Sequence, residues 1–182
     1  MPYEVIRSHE ICAGHRVVGH ESKCRHLHGH NYVFHFHVAP KMEKRFVGGV
    51  VPPTEITIND RTKLDDLGRV IDFSVVKSTL CEWLENNWDH KFLHWEHDDL
   101  IEGLKALVRW DCEEWSRSPT LDTDDQDHFL ASLVALPFNP TAENLAAHMV
   151  NVVGPMLLDE HGVELVKCII EETSKCHVGY TK

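Results

Sequence analysis

The clearest pattern in the chain is the alternation from His28 to Val38. His28, His30, Tyr32, Phe34, Phe36 and Val38 share one parity, and Gly29, Asn31, Val33, His35, His37 and Ala39 the other. Successive strand side chains point to opposite faces, so this segment predicts a strand with an aromatic inner row that begins with two histidines. Pro40 follows, where a missing N–H suits a strand end. The opening run YEVIRSHEICAGHR predicts an earlier, more mixed strand. Between Lys41 and Leu67 the chain turns polar and is broken by Gly48-Gly49 and Pro52-Pro53, which predicts a hairpin or long loop. GRVIDF then predicts a short strand ending at Asp72.

Helical spacing takes over in SVVKSTLCEWLENNW, where Val76, Leu80, Trp83, Leu84 and Trp88 form a stripe and Asp72 or Ser74 can serve as N-cap. DDLIEGLKALVRWDCEEW gives a second amphipathic helix with Leu100, Leu104, Leu107, Val108 and Trp115 on one side. RSPTLDTDDQDH predicts a solvated loop. NPTAENLAAHMVNVV predicts a third helix, capped by Thr141, with Leu145, Met149, Val152 and Val153 buried and Gly154-Pro155 to end or kink it. VELVKCIIEET is rich in β-branched residues and closes the chain as a strand, with Val166, Cys168, Ile170 and Glu172 on one face. Strands first, helices next and a strand last predict one α+β domain over 1–182, a length that suits a single core.

Composition narrows the function. The net charge of −11, from 18 basic and 29 acidic side chains, argues against a nucleic-acid or anionic-membrane binder. A small anionic substrate would need a local positive patch or a metal. No apolar run approaches the ~20 residues that span a bilayer, and the N-terminus lacks the pattern of a signal peptide, so a cytoplasmic setting is expected. The six cysteines, Cys12, Cys24, Cys81, Cys112, Cys168 and Cys176, form no C-x-x-C pair and are expected to be free thiols. Histidine is the exception to this ordinary composition: seven of the 15 fall between His15 and His37.

Two histidines at i and i+2 on a strand project the same way, ~7 Å apart at the backbone, close enough to share one ion. Imidazole suits Zn²⁺. His15, in AGHR, is the best third ligand, because an antiparallel partner strand would place it opposite His28 and His30. Three neutral imidazoles leave a fourth position open, as in a catalytic zinc site. Spacing alone leaves alternatives: Cys24 could close a structural site, could be a buried thiol, or the metal could serve hydrolysis with no obligatory thiol. His35 and His37 have the same spacing but the opposite parity, and His20 and His26 fall in a predicted loop.

Taken in order, AGHR, C-x-x-x-H-G-H-N-Y, IDF, W-D-H, N-P-T-A-E-N and E-E-T resemble the 6-pyruvoyl-tetrahydropterin synthase / 6-carboxy-tetrahydropterin synthase family over His15 to Thr173. The resemblance implies the tunnelling fold: an antiparallel sheet with helices on one face, three copies closing into a barrel, and two trimers stacking into a hexamer. It implies Zn²⁺ on His15, His28 and His30, and Cys24 as a catalytic base beside the metal. Asp89 and His90 match the family's Asp-His pair, with Trp88 in place of leucine, and that pair comes from a neighbouring subunit. Glu172 matches the glutamate that grips the pterin ring and joins the proton relay, and Thr141, Ala142 and Glu143 match a segment of the pterin pocket.

Only three residues separate Cys24 from His28, where animal-type pyruvoyl synthases have a longer spacer. With the IDF motif, this favours the carboxy branch, a lyase that converts 7,8-dihydroneopterin triphosphate to 6-carboxy-tetrahydropterin with loss of acetaldehyde and triphosphate, on the route to queuosine and other 7-deazapurines. The alternatives are triphosphate elimination to the 6-pyruvoyl product and a non-catalytic zinc protein. The segments 41–67 and 95–137 are longer than in compact members and read as insertions.

Overall fold

The computed structural model describes residues 3–47, 54–58, 63–109 and 123–182. Its central element is the antiparallel pair β1 (Val5–His15) and β2 (His28–Pro40), in register from Val5 opposite Val38 to His15 opposite His28. β2 also pairs antiparallel with β7 (Val163–Thr173), and β7 with β8 (Cys176–Thr181). On the other side, β5 (Phe92–Trp95) runs parallel to β1 at Gly14 and His15, and β6 (Leu133–Leu136) runs parallel to β5. The resulting six-stranded sheet has the order β6-β5-β1-β2-β7-β8 and curls into a half-barrel. β3 (Glu43–Val47) and β4 (Thr54–Ile58) form the hairpin expected after Pro40, as a separate two-stranded sheet.

The expected antiparallel sheet thus describes β1, β2, β7 and β8, while β5 and β6 are parallel. Each of those two strands is four residues long, too short to show alternation. A parallel pair needs a crossover. It is supplied by a connection that contains α3 (Asp99–Arg109) and α4 (Thr123–Ala131). The loop expected over RSPTLDTDDQDH is corrected from Thr123 onward, where α4 begins; its first residues, like Trp115, lie outside the described residues. The stripe on α3 also shifts: Ile101 is buried, whereas Leu100 and Leu107 are exposed.

GRVIDF forms no strand. Asp65 Oδ1 accepts the N–H groups of Leu67 and Arg69 at 3.0 and 2.8 Å, and the Arg69 guanidinium bridges Asp65 and Asp72 at 2.9 and 2.7 Å. This network winds the segment into a turn that delivers Asp72 as N-cap, its Oδ1 accepting from Ser74 N–H at 2.8 Å. The hydrogen bonds from Ser74, with a smaller contribution from the Arg69 charge, hold the Asp72 pKa below the usual carboxylate value. The helix that follows comprises α1 (Phe73–Val76), a π-helical turn (Lys77–Cys81) and α2 (Glu82–Asn87).

The third helix comprises α5 (Ala142–His148), a π-helical turn (Met149–Val153) and α6 (Gly154–Leu158). It therefore runs past Gly154-Pro155 instead of ending there. The extra residue of the π turn shifts the helical phase, so Val150 is buried and Val152 is not. Gly154 lets the helix approach β7: a Cβ there would lie 2.8 Å from Leu165 Cβ.

Helices pack on one face of the sheet. Tyr32, Phe34, Phe36 and Val38, the inner row of β2, are fully buried with Leu80, Leu84 and Trp88 from the first helix and Leu145 and Met149 from the third. Phe34 and Trp88 meet with ring centroids 6.0 Å apart. Burying each such side chain stabilises the fold by roughly 1.5–3 kcal/mol. No helix among the described residues is long and apolar enough to cross a membrane. Phe34→Ala is expected to lower the unfolding free energy by about 3–5 kcal/mol in a denaturant titration, whereas Ile6→Ala, at a 56% exposed position, should change it by less than ~0.5 kcal/mol.

Candidate metal centre and active site

Strand parity and register bring three imidazoles together. His28 and His30 share the inner face of β2, and the β1–β2 pairing sets His15 opposite His28 and Ala13 opposite His30. The ring centroids of His15 lie 4.4 Å from His28 and 5.2 Å from His30. One nitrogen from each of the three rings falls within 4.8 Å of the other two.

Hydrogen bonds orient two of the rings. His15 Nδ1 donates to the carbonyl of Pro140 at 2.7 Å, and His28 Nδ1 donates to the carbonyl of His26 at 2.8 Å. A carbonyl can only accept, so Nδ1 carries the proton in each ring and Nε2 presents a lone pair. His15 is 1% exposed, and its buried Nε2 makes no hydrogen bond. A buried lone pair without a partner is costly unless something fills the site. Burial also lowers the pKa of His15, against the upward pull of the Pro140 bond, and burial lowers that of His30 against Glu172. Neutral rings with converging lone pairs fit a first-row divalent cation.

The NPTAEN segment holds this arrangement in place. The Asn139 amide closes two bonds with the backbone of Val18, accepting from its N–H and donating to its carbonyl, both at 2.8 Å. Asn144 Nδ2 donates back to the Asn139 carbonyl at 2.9 Å, and Thr141 caps α5 by accepting from Asn144 N–H at 3.3 Å. The Pro140 carbonyl is thereby aimed at His15. Sequence reasoning named Thr141, Ala142 and Glu143 but missed Asn139 and Pro140, whose contribution is made by an amide clamp and a backbone carbonyl.

A cavity of about 570 Å³ opens beside His15 and is lined by Cys24, Thr141, Ala142, Glu143 and Glu172, among others. Cys24 lies in a short 3₁₀ turn (Lys23–Arg25), with its carbonyl accepting from Val17 N–H at 2.7 Å. Its sulfur is not part of the three-histidine cluster. Glu172 Oε1 lies 3.5 Å from His15 Nε2 and 3.7 Å from His30 Nε2, and Tyr32 donates its hydroxyl to the same oxygen at 3.5 Å. Burial, followed by the Glu172 charge, keeps the Tyr32 phenol protonated.

Asp89 and His90 sit elsewhere. His90 takes a left-handed backbone, φ 55°, its N–H donating to the Cys12 carbonyl at 2.7 Å, while Asp89 Oδ1 accepts from Cys12 N–H at 2.8 Å. That backbone turn lets the adjacent side chains meet, with His90 Nδ1 2.9 Å from Asp89 Oδ2. Burial raises the Asp89 pKa, but the bonds from Cys12 and His90 outweigh it and hold the carboxyl below its usual value. His90 lines a second groove, with Cys12, His30, Asn31 and Lys91, and not the cavity that contains Cys24. His35 and His37 occupy the opposite face of β2: His35 bonds Ser8 and Glu171 at 2.7 and 2.8 Å, and His37 bonds Glu4 at 3.0 Å.

A family model described as 6-pyruvoyl tetrahydropterin synthase matches residues 4–182. The chain belongs to this family. Proteins named 6-carboxy-5,6,7,8-tetrahydropterin synthase are 31% identical over 166 residues in Rickettsia typhi, covering 91% of each chain, and 29% identical over 169 residues in Rickettsia bellii, covering 93% of each. Among solved structures, an uncharacterized protein of Wolinella succinogenes aligns with a TM-score of 0.67 at 20% identity, over all of this chain and 98% of its own. The 6-pyruvoyl tetrahydropterin synthase of Caenorhabditis elegans aligns with a TM-score of 0.52 at 17% identity, over 100% and 96%. The family match and the likeness to the Caenorhabditis elegans structure establish the α+β tunnelling fold for this chain.

The geometry predicts that His28→Ala abolishes retention of a divalent cation in a metal analysis after dialysis, while His35→Ala leaves it intact. Acid should release the cation, because protons compete for Nε2. Since folding lowers the pKa of His15 and His30 below the usual 6.5, these two rings stay neutral through that pH, and release should set in only on further acidification. Half-release above pH 6.5 would contradict the assignment.

Proposed function

We propose that this protein is a zinc-dependent 6-carboxy-5,6,7,8-tetrahydropterin synthase, acting on 7,8-dihydroneopterin triphosphate with release of acetaldehyde and triphosphate. The observation that carries this reading is a cavity that joins the Cys24 thiol and the Glu172 carboxylate to His15, one member of a three-imidazole cluster that excludes sulfur. His15, His28 and His30 would hold Zn²⁺ as neutral donors and leave a position for substrate. When bound, the ion supplies Lewis-acid stabilisation for charge developing on the oxygens of the substrate side chain.

The chain's own residues divide the remaining work. Cys24 is the base that takes a carbon-bound proton; thiols beside a metal or imidazolium have depressed pKa values that suit this task near neutral pH. Glu172 accepts from the ring N–H and amino group at the pterin edge, a two-point match for a carboxylate. Thr141, Ala142 and Glu143 form a wall of the pocket. The Asp89–His90 pair relays the proton, and we place it in the active site of a neighbouring copy.

Two features support that placement: His90 and Cys24 line different cavities in one chain, and β1 pairs on its outer side, among the described residues, only at Gly14 and His15. The free remainder of β1 and the outer edge of β8 suit pairing between copies, consistent with a trimer and a hexamer of two trimers.

The relatives' names favour the carboxy product over the pyruvoyl one, and product identification decides it. Zinc-loaded protein incubated with 7,8-dihydroneopterin triphosphate should yield 6-carboxy-tetrahydropterin and acetaldehyde. A 6-pyruvoyl product without acetaldehyde would assign the other branch, and an unchanged substrate would reject both. Cys24→Ala should keep its zinc and lose roughly 10²–10⁴-fold in rate. Glu172→Gln should keep fold and zinc and weaken pterin binding. Mixed oligomers of Cys24→Ala and His90→Ala should regain part of the activity that each variant lacks alone; demonstrably mixed hexamers without recovery would place each site within one chain.

A further inference from the structure

The cavity beside His15 has lining residues that the roles above leave unused. Lys175, His20 and His177 are among them, and Lys175 is the only lysine or arginine of the cavity among the described residues. We propose that Lys175, assisted by His20, binds the phosphate end of the substrate and sets the preference for a phosphorylated pterin. The proposal rests on the pterin reading of the site, and it adds the residues that would recognise the anionic end.

Three observations carry it. First, the backbone of Lys175 is held in the turn that follows Glu172, the carboxylate assigned to the pterin. Thr173 pairs with Cys176 across the β7–β8 turn, and Thr173 Oγ1 accepts the N–H groups of Lys175 and Cys176 at 3.3 and 3.1 Å. Lys175 follows Glu172 by three residues, so their backbones lie within ~10 Å, and one ligand can reach both side chains.

Second, the ammonium of Lys175 has no carboxylate partner among the described residues; Lys23, Lys77, Lys91 and Lys167 share that state, but of these Lys175 is the one that lines this cavity. In a chain of net charge −11, Lys175 is the cation that this cavity offers a polyanion beside Glu143 and Glu172, and an ion on the neighbouring three-histidine cluster would supply the further positive charge. Third, the His20 ring is fixed in a donor state. Its Nδ1 accepts the N–H of Ser22 at 2.9 Å, so Nε2–H is left to donate into the cavity that the ring lines. Lys175 and the His20 donor thus line the same cavity as Glu172, offering groups for phosphate beside the group assigned to the pterin.

The test uses zinc-loaded Cys24→Ala protein, which binds substrate without turning it over, and three probes: 7,8-dihydroneopterin triphosphate, 7,8-dihydroneopterin and inorganic tripolyphosphate. Adding Lys175→Ala should weaken the triphosphate and tripolyphosphate about 10-fold or more, as for loss of a charge-assisted bond, and leave 7,8-dihydroneopterin within ~2-fold. Lys175→Arg should restore most of the loss, and raised salt should shrink the difference. Equal weakening of all three probes, or no weakening of either phosphate-bearing one, overturns the proposal. If 7,8-dihydroneopterin fails to bind while tripolyphosphate binds in a Lys175-dependent way, the pterin reading falls and the anion site stands. The converse result removes the anion site and keeps the pterin reading.

Discussion

The site depends on one buried hydrogen bond, from His15 Nδ1 to the carbonyl of Pro140. It spans 125 residues of sequence and joins the end of β1 to the turn before α5. Without it, His15 would be an imidazole in a closed interior with an undecided tautomer and no reason to point Nε2 at His28 and His30. With it, the ring is locked as a lone-pair donor. The clamp of Asn139 on Val18 and the cap of Thr141 on α5 serve the same end, because each fixes the peptide that accepts the bond.

The division of the sheet into two faces carries the rest. Parity along β2 sends the aromatic row and the two histidines inward, while His35 and His37 pair with acidic and hydroxyl groups on the open face. A one-residue slip in the β1–β2 register would reverse every one of these assignments. The connection between β5 and β6 is also tied in close by: Arg16, next to His15, pairs with the buried Asp98 at 3.1 Å, and Asp98 Oδ1 accepts the Leu100 N–H at 3.1 Å in the first turn of α3. The long segment after the W-D-H motif is thus anchored to the strand end that presents His15.

Much of this was legible in the residue pattern, because alternation over 11 positions of β2 and helical spacing in two amphipathic runs are strong signals. The three clustered histidines could be named from parity plus a plausible partner strand. What was hidden depends on contacts between distant segments or on backbone geometry. β5 and β6 are too short to show a period, and β8 lies beyond the segment that was read as the last strand. The turn at Asp65–Asp72 is held by Asp65, from the segment read as a hairpin or loop, together with Arg69 and Asp72, which read as part of a strand. Asp89 and His90, adjacent in sequence and so expected to diverge, meet because His90 adopts a left-handed backbone that composition does not announce. Tyr32 read as core, and it is also the hydroxyl donor to Glu172.

The central claim is that three imidazoles, and not the neighbouring thiol, hold the metal. X-ray absorption at the zinc edge of the metal-loaded protein measures this directly. The account predicts a first shell of nitrogen and oxygen scatterers alone, at about 2.0–2.1 Å, unchanged in Cys24→Ala. A sulfur scatterer at about 2.3 Å that disappears in Cys24→Ala would contradict it, making Cys24 a ligand and the site a closed structural one.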